Sequence, residues 1–235
     1  LGSNSYAMLF EENFDSMPAG TDLADLGWTQ VFSQSDVDGV VDARTIDVQN
    51  SATIGNNFLA MYKKALPGGS YTLGTDEHFL LTAIMDIDDI SNAGRLAGII
   101  AYNADVAPGD EVSGIYAEVV SNGGSGASNQ QIQLGSGLSI LFDRKEVPLL
   151  QTDLPMKLEV EIHPSETFLH YTPNGGLPVT VVPDIQAGMN KIDEVRIQWQ
   201  INGYIDSIDL QVIPEPTSLA LLSLGGLLML RRRRA

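Results

Sequence analysis

The chain has 235 residues, no cysteine, and 30 acidic against 13 basic residues, a formal net charge of −17. This length suffices for one large β domain or two small ones, and the lack of cysteine excludes disulfide frameworks, thiolate metal sites and cysteine nucleophiles. Proteins that bind nucleic acid use lysine and arginine to neutralise phosphates, so the acidic balance predicts no nucleic-acid partner.

The first seven residues, Leu1–Ala7, are predicted to be a leader or the remnant of a cleaved signal peptide. Ser5 and Ala7 are small residues of the kind that precede a signal-peptide cleavage site. The folded body is therefore predicted to begin at Met8.

From Met8 to Ile213 the sequence is a succession of short β-like runs separated by turn signals rich in glycine, proline, asparagine and aspartate. No helical period, repeat or linker interrupts them, which predicts a single all-β domain, a jelly-roll β-sandwich over residues 8–213. The predicted strands are Leu9–Phe14, Trp28–Ser33, Val40–Val48, Phe58–Lys64, Phe79–Ile87, Leu96–Asn103, Gly114–Val120, Gln130–Leu134, Leu138–Asp143, Met156–His163, Thr167–Thr172, Val179–Val182, Glu194–Asn202 and Tyr204–Val212.

The pattern of these runs also predicts their position in a sheet. Met156–His163 and Val195–Asn202 alternate apolar and polar residues, which is typical of strands with one face in the core and one in water. Phe79–Ile87 and Leu96–Tyr102 are apolar on both faces, which is typical of central strands.

Both ends of the body resemble a known fold. Phe10-Glu-Glu-Asn-Phe-Asp15 and Gly27-Trp28 are similar to the opening of concanavalin A/laminin-G-like jelly rolls, and Tyr204-Ile-Asp-Ser-Ile-Asp-Leu210 resembles their closing strand. The resemblance implies that the first and last strands pair. It also implies glycan binding, which is common in such domains, and a structural calcium ion, which some of them carry.

Three groups of acidic residues are candidates for Ca²⁺, a hard cation that takes oxygen ligands. They are Asp36, Asp38 and Asp42 around Gly39; Asp86, Asp88 and Asp89; and Asp209 with Glu12. Solvated acidic loops show the same pattern, so the sequence leaves both interpretations open.

The stretch Glu159-x-Glu161-x-His163 places three ionisable side chains on one face of a predicted strand. The Cα atoms of residues i and i+2 on a strand are roughly 6.5–7 Å apart, a spacing that permits the carboxylate pair of a glycosidase. The Glu-x-Asp-x-(x)-Glu pattern of laminarinase-like relatives is missing, however, and an ordinary solvated face fits as well. We therefore predict no catalytic residues.

Glycan contacts are predicted on the run that contains Trp199. Arg196, Gln198 and Gln200 form its polar face and are the predicted hydrogen-bonding residues, with surface solvation as the alternative. Trp199 and Trp28 are candidates for sugar stacking, but the apolar neighbours of Trp199 favour a place in the core.

The tail from residue 214 to 235 has three parts: Pro214-Glu215-Pro216, the uncharged run Ser218–Leu230, and Arg231, Arg232, Arg233 and Arg234. The uncharged run has 13 residues. As a helix it would span about 20 Å, which is shorter than the ~30 Å hydrocarbon core of a bilayer. It could cross the membrane if the bilayer thins or the flanking side chains reach the interface. The arginines would remain on the cytoplasmic side, so the body, residues 8–213, would lie on the opposite side of the membrane.

The tail resembles the PEP-CTERM sorting signal of exported bacterial proteins. This resemblance implies an exosortase-type processing enzyme that cuts near the motif, membrane contact through the helix before cutting, and a setting of extracellular polysaccharide and biofilm. We predict a non-enzymatic protein of the cell surface or extracellular matrix that binds polysaccharide. The alternatives are a secreted polysaccharide-degrading enzyme on the same fold and a purely structural surface protein.

Overall fold

The computed structural model describes residues 7–14, 17–33, 39–43, 50–54, 60–90, 94–106, 113–121, 130–137, 144–185, 187–199 and 203–215. Within these ranges the chain forms β-strands joined by turns, with a short 3-10 helix at Gln151–Asp153. The all-β prediction is therefore confirmed. The predicted C-terminal helix lies outside these ranges. No helix within them is long and apolar enough to span a membrane.

All strand pairs in the described ranges are antiparallel. In chain order the strands are β1 (Ala7–Asn13), β2 (Thr29–Ser33), β3 (Gly39–Ala43), β4 (Asn50–Ile54), β5 (Ala60–Ala65), β6 (Tyr71–Thr72), β7 (Glu77–Ile87), β8 (Gly94–Tyr102), β9 (Gly114–Ser121), β10 (Gln130–Ser136), β11 (Arg144–Pro148), β12 (Met156–Ile162), β13 (Thr167–Thr172), β14 (Val179–Ile185), β15 (Lys191–Ile192), β16 (Glu194–Trp199) and β17 (Gly203–Pro214).

Two sheets pack face to face. The back sheet has eight strands in the order β14-β13-β12-β7-β17-β4-β3, with β1 also paired to β17. The front sheet has seven strands in the order β11-β10-β9-β8-β16-β5-β2, and β6 pairs with β15 in a small ribbon. The prediction of central strands is confirmed, because β7 lies between β12 and β17 and β8 lies between β9 and β16.

The core lies between the sheets and is one continuous cluster of buried apolar side chains, from Phe10 in β1 to Val212 in β17. It forms because alternate residues of each strand point inward. On β7 the inward residues, all fully buried, are Phe79, Leu81, Ala83, Met85 and Ile87. The intervening residues of β7 therefore lie on the outer face of the back sheet, which carries the site described below.

The predicted pairing of the first and last strands is also confirmed. Strand β1 runs beside β17 from the pair Ala7 and Val212 to the pair Asn13 and Ser207. Four strands were not predicted: β4, β6, β11 and β15. The predicted strand Leu138–Asp143 lies outside the described residues.

Candidate functional site

A cluster of ionisable side chains lies on the outer face of the back sheet, at one end. Strand β7 begins there, while β12 and β17 end there, because Ile162 pairs with Phe79 and Pro214 pairs with Glu77. This antiparallel register brings together residues that are far apart in the sequence. The members, which we call the histidine–glutamate cluster, are His78, Glu161, His163, His170 and Glu215.

The carboxylate of Glu161 is the centre of this cluster. Its Oε1 lies 2.9 Å from Nε2 of His163 and 3.6 Å from Nε2 of His78. Its Oε2 lies 3.2 Å from Nε2 of His170. The chain has three histidines in all, so every one of them faces the same carboxylate.

His163 is held in place on all sides. Its Nδ1 lies 3.0 Å from Oε1 of Glu215, its ring stacks on His78 with centroids 4.6 Å apart, and Phe168 packs edge-on at 5.6 Å. Its backbone N–H donates to the carbonyl of Glu166 and its own carbonyl accepts from Met189. The ring therefore has a fixed orientation, with Nε2 directed at Glu161.

The charges and burial of the cluster shift two pKa values. Burial would raise the pKa of Glu161, but hydrogen bonds from His163 and His170 and the nearby charge of His78 hold that pKa below its usual range. Burial lowers the pKa of His78, against the opposing effect of the Glu161 charge. The other ring nitrogen of His78, Nδ1, is buried without a hydrogen-bond partner.

The sequence predicted only part of this cluster. Glu159 and Glu161 do share the outer face of β12, as the alternation indicated, and His163 follows the last residue of that strand. Glu159 accepts a hydrogen bond from Lys157 at 2.7 Å. His78 and His170 were missed because they come from β7 and β13. The available signal was alternation, which turns both of them to the outer face.

Three members of this cluster have the geometry of a metal-ligand group. Within the described ranges, His78, Glu161 and His163 are the one group of three histidine, cysteine or acidic side chains whose ligand atoms all lie within 4.8 Å of one another. Asp36 and Asp38 lie outside the described residues, and only the backbone of Asp42 is described, in β3.

Asp209 and Glu12 do not come together, although their strands are neighbours. Asp209 lies opposite Glu11 on the outer face of the back sheet, whereas Glu12 is buried and ion-paired with Lys64. The alternation of β1 turns adjacent residues to opposite sides. In the described part of the chain, Asp209 therefore belongs to no group of three metal ligands.

The other acidic candidates also bond within the chain. An Asp86 carboxylate oxygen accepts the backbone N–H of Ile87 at 2.8 Å, and Asp88 accepts the Tyr204 hydroxyl at 2.8 Å.

The predicted glycan-binding residues lie on the outer face of the front sheet and bond within the chain. Arg196 donates from Nε to Glu194 Oε1 at 2.6 Å and lies 3.3 Å from the centroid of the Tyr102 ring. Gln198 donates to the carboxylate of Glu118. Both residues are buried, with Arg196 8% and Gln198 2% exposed. Gln200 lies outside the described residues.

The remaining sequence candidates divide between core, cluster and undescribed parts of the chain. Trp28 is buried in the core, edge-on to Phe10 at 5.9 Å, so its face does not reach solvent. Pro214 is the last residue of β17, and Glu215 belongs to the histidine–glutamate cluster. Pro216 and the four arginines Arg231–Arg234 lie outside the described residues, as does the side chain of Trp199.

Comparison with known proteins finds no matching family model and no matching curated protein. Solved structures do match. Lectin I-B4 from Griffonia simplicifolia, in a metal-free form, has 12% identity and a TM-score of 0.51 over 86% of this chain and 99% of the lectin. The lectin from Bauhinia forficata, solved in complex with GalNAc, has 10% identity and a TM-score of 0.51 over 90% of this chain and 99% of that one.

The fold is a lectin-like β-sandwich. This confirms the concanavalin A-like prediction for the body. The globular domain of calreticulin from T. cruzi shares the same sandwich, with 11% identity and a TM-score of 0.54 over 92% of this chain and 91% of that domain. At 10–12% sequence identity, these matches show a shared fold and no more. Any site in this chain must be argued from its own residues.

Proposed function

We propose that this protein binds extracellular polysaccharide through its lectin-like sandwich and has no enzymatic activity. The supporting observation is the shared fold, which extends over 86% of the chain for one legume lectin and 90% for another that was solved with a bound sugar. Function does not follow from fold alone, so the proposal also needs a surface with suitable chemistry.

The outer face of the front sheet supplies that chemistry. Sugar recognition needs fixed polar groups, and Arg196 is fixed by Glu194 and by the face of Tyr102. Lys63 also pairs with Glu194, at 3.2 Å, and 40% of its side chain is exposed, so it is available to a ligand. In this proposal Arg196 and Gln198 form the floor of the glycan site.

This proposal can be tested by probing a glycan array with the full chain and then assaying for the release of shortened sugars. Binding without release is expected. Release of shortened sugars would favour the polysaccharide-degrading enzyme, and silence in both assays would favour a purely structural protein. Lys63→Gln should weaken binding, whereas Lys157→Gln, the same change on the outer face of the back sheet, should not. Equal effects would exclude the front face.

We further propose that the tail is a PEP-CTERM sorting signal, read by an exosortase-type enzyme, and that the body is held at the cell surface or released into the extracellular matrix. The order of Pro214-Glu215-Pro216, the apolar run Ser218–Leu230 and the arginine block supports this. Intact-mass analysis of the secreted protein should show loss of the apolar run and the arginines. A secreted form that retains Arg231–Arg234 would contradict the proposed cleavage.

A further inference from the structure

The histidine–glutamate cluster presents a set of ligand atoms that suits a transition-metal ion. Two imidazole nitrogens and one carboxylate oxygen are the donor set of many three-ligand zinc sites. Ligands about 2.0–2.1 Å from a tetrahedral ion lie roughly 3.4 Å from one another. The distances from Glu161 Oε1 to Nε2 of His163 and His78, 2.9 and 3.6 Å, lie on either side of that value.

The groups around His163 and Glu161 also match the surroundings of a metal site. A histidine ligand usually donates its second ring N–H to a carboxylate, a backbone carbonyl or a water molecule, which fixes the ring orientation and strengthens the ligand. Glu215 makes this contact with Nδ1 of His163, at 3.0 Å. His170 holds the second oxygen of Glu161 at 3.2 Å, which leaves Oε1 directed at the other two histidines.

The positions of the ligands are fixed by the fold and accessible from solvent. His78 and His163 come from neighbouring strand ends and stack against each other. The side chains of His78, His163 and Glu161 are 11%, 17% and 29% exposed, so an ion can enter without opening the core.

We propose that His78, Glu161 and His163 bind one Zn²⁺ ion, or another first-row divalent ion that prefers imidazole, with Glu215 and His170 as positioning residues. Three protein ligands leave one position for water or for a ligand oxygen. This site lies on the back sheet and shares no residue with the proposed glycan site on the front sheet, so either proposal can fail without the other.

Calorimetric titration of Zn²⁺ into the full chain, purified without a histidine tag and stripped with a chelator, tests the site. One ion per chain is expected. Co²⁺ in its place should give visible ligand-field absorption typical of a tetrahedral site. Glu161→Gln should weaken Zn²⁺ binding at least a hundredfold, and His163→Gln should abolish it.

The matched control is Glu159→Gln, which removes a carboxylate from the same face of the same strand, two residues from Glu161. Its affinity for Zn²⁺ should stay within about twofold of the unmodified chain. If His163→Gln fails to fold, as judged by circular dichroism, the comparison between the two glutamate variants decides. No stoichiometric Zn²⁺ binding, or equal affinities of the two glutamate variants, would overturn the proposal.

Glu215 tests the surroundings of the site separately. Glu215→Gln should weaken Zn²⁺ binding about 10–100-fold while leaving one ion per chain and an unchanged melting temperature of the metal-free protein. Glu215→Asp should recover part of that loss. An affinity unaffected by Glu215→Gln would remove Glu215 from the site.

Discussion

Gly188 approaches the backbone of His163 so closely that no side chain fits between them. A Cβ atom on Gly188 would lie 1.9 Å from the His163 carbonyl oxygen and 2.6 Å from the backbone of Pro164. The same carbonyl accepts the N–H of Met189 at 3.0 Å. The segment 187–189 thus fixes the backbone of the residue on which the histidine–glutamate cluster depends.

We expect Gly188→Ala to destabilise the protein by at least about 2 kcal/mol, because the backbone must move to admit the methyl group. Urea unfolding monitored by tryptophan fluorescence measures this change. Gly68→Ala is the matched control, since a Cβ at Gly68 meets nothing within 4 Å. Equal losses for the two variants would show that the close approach is not structurally required.

The pair Gln198 and Glu118 carries a second prediction. The two side chains meet across Gly98, where a Cβ would lie 2.8 Å from that of Glu118, and both are almost fully buried. Glu118→Ala should cost about 1–3 kcal/mol, because it leaves the buried Gln198 amide without this acceptor. Glu146→Ala, which removes an exposed acceptor from Gln133, should change the free energy of unfolding by less than about 0.5 kcal/mol.

Asp209 should make stability depend on pH. Burial raises its pKa, the charges of Glu11 and Glu159 add to this, and the Gln211 hydrogen bond and Lys157 oppose it. A carboxyl whose pKa is raised in the folded state binds its proton more tightly there than in the unfolded chain. Its contribution to the free energy of unfolding therefore falls as pH rises from the ordinary carboxyl range through the raised pKa.

Asp209→Asn removes the half-buried charge and keeps an oxygen for Gln211. We expect this variant to melt at a higher temperature than the unmodified chain at pH 7, and the difference to vanish at pH values below the ordinary carboxyl range. Asp25→Asn, an exposed change of equal charge, controls for the general relief of repulsion in a chain of net charge −17. A constant difference across the pH range would contradict the assignment to Asp209.

Calcium binding by Asp36 and Asp38 can be tested through the melting temperature. If Asp36 and Asp38 bind Ca²⁺, millimolar calcium should raise the melting temperature more than magnesium at equal ionic strength, because Mg²⁺ requires tighter octahedral geometry. A calcium concentration a hundredfold above Kd would stabilise the folded state by about 2.7 kcal/mol. Replacing both residues with alanine should abolish the difference, whereas Asp209→Ala should not. Equal shifts of the melting temperature with the two ions would mean that the ions only screen the repulsion between acidic residues.

For the strands with a clear apolar pattern, the sequence alone determined which residues are buried, because such a pattern depends only on neighbouring residues. Met156–His163 predicted its own facing, and Phe79–Ile87 predicted its central position by being apolar on both sides. The polar strands Asn50–Ile54 and Arg144–Pro148 were missed, since they have no such pattern and are strands because a neighbouring strand supplies their hydrogen bonds.

Only the tertiary structure decided which outward residues meet. His78 and Glu161 belong to strands separated by about a third of the chain, and their contact depends on the register of β7 against β12, which no local pattern encodes. The same holds for Arg196 and Gln198. Their polar pattern predicted contacts with a glycan or with solvent, whereas both are buried and bond partners on the front sheet. In the strands with a clear pattern, local chemistry thus fixed the direction of the side chains, and strand order and register determined their partners.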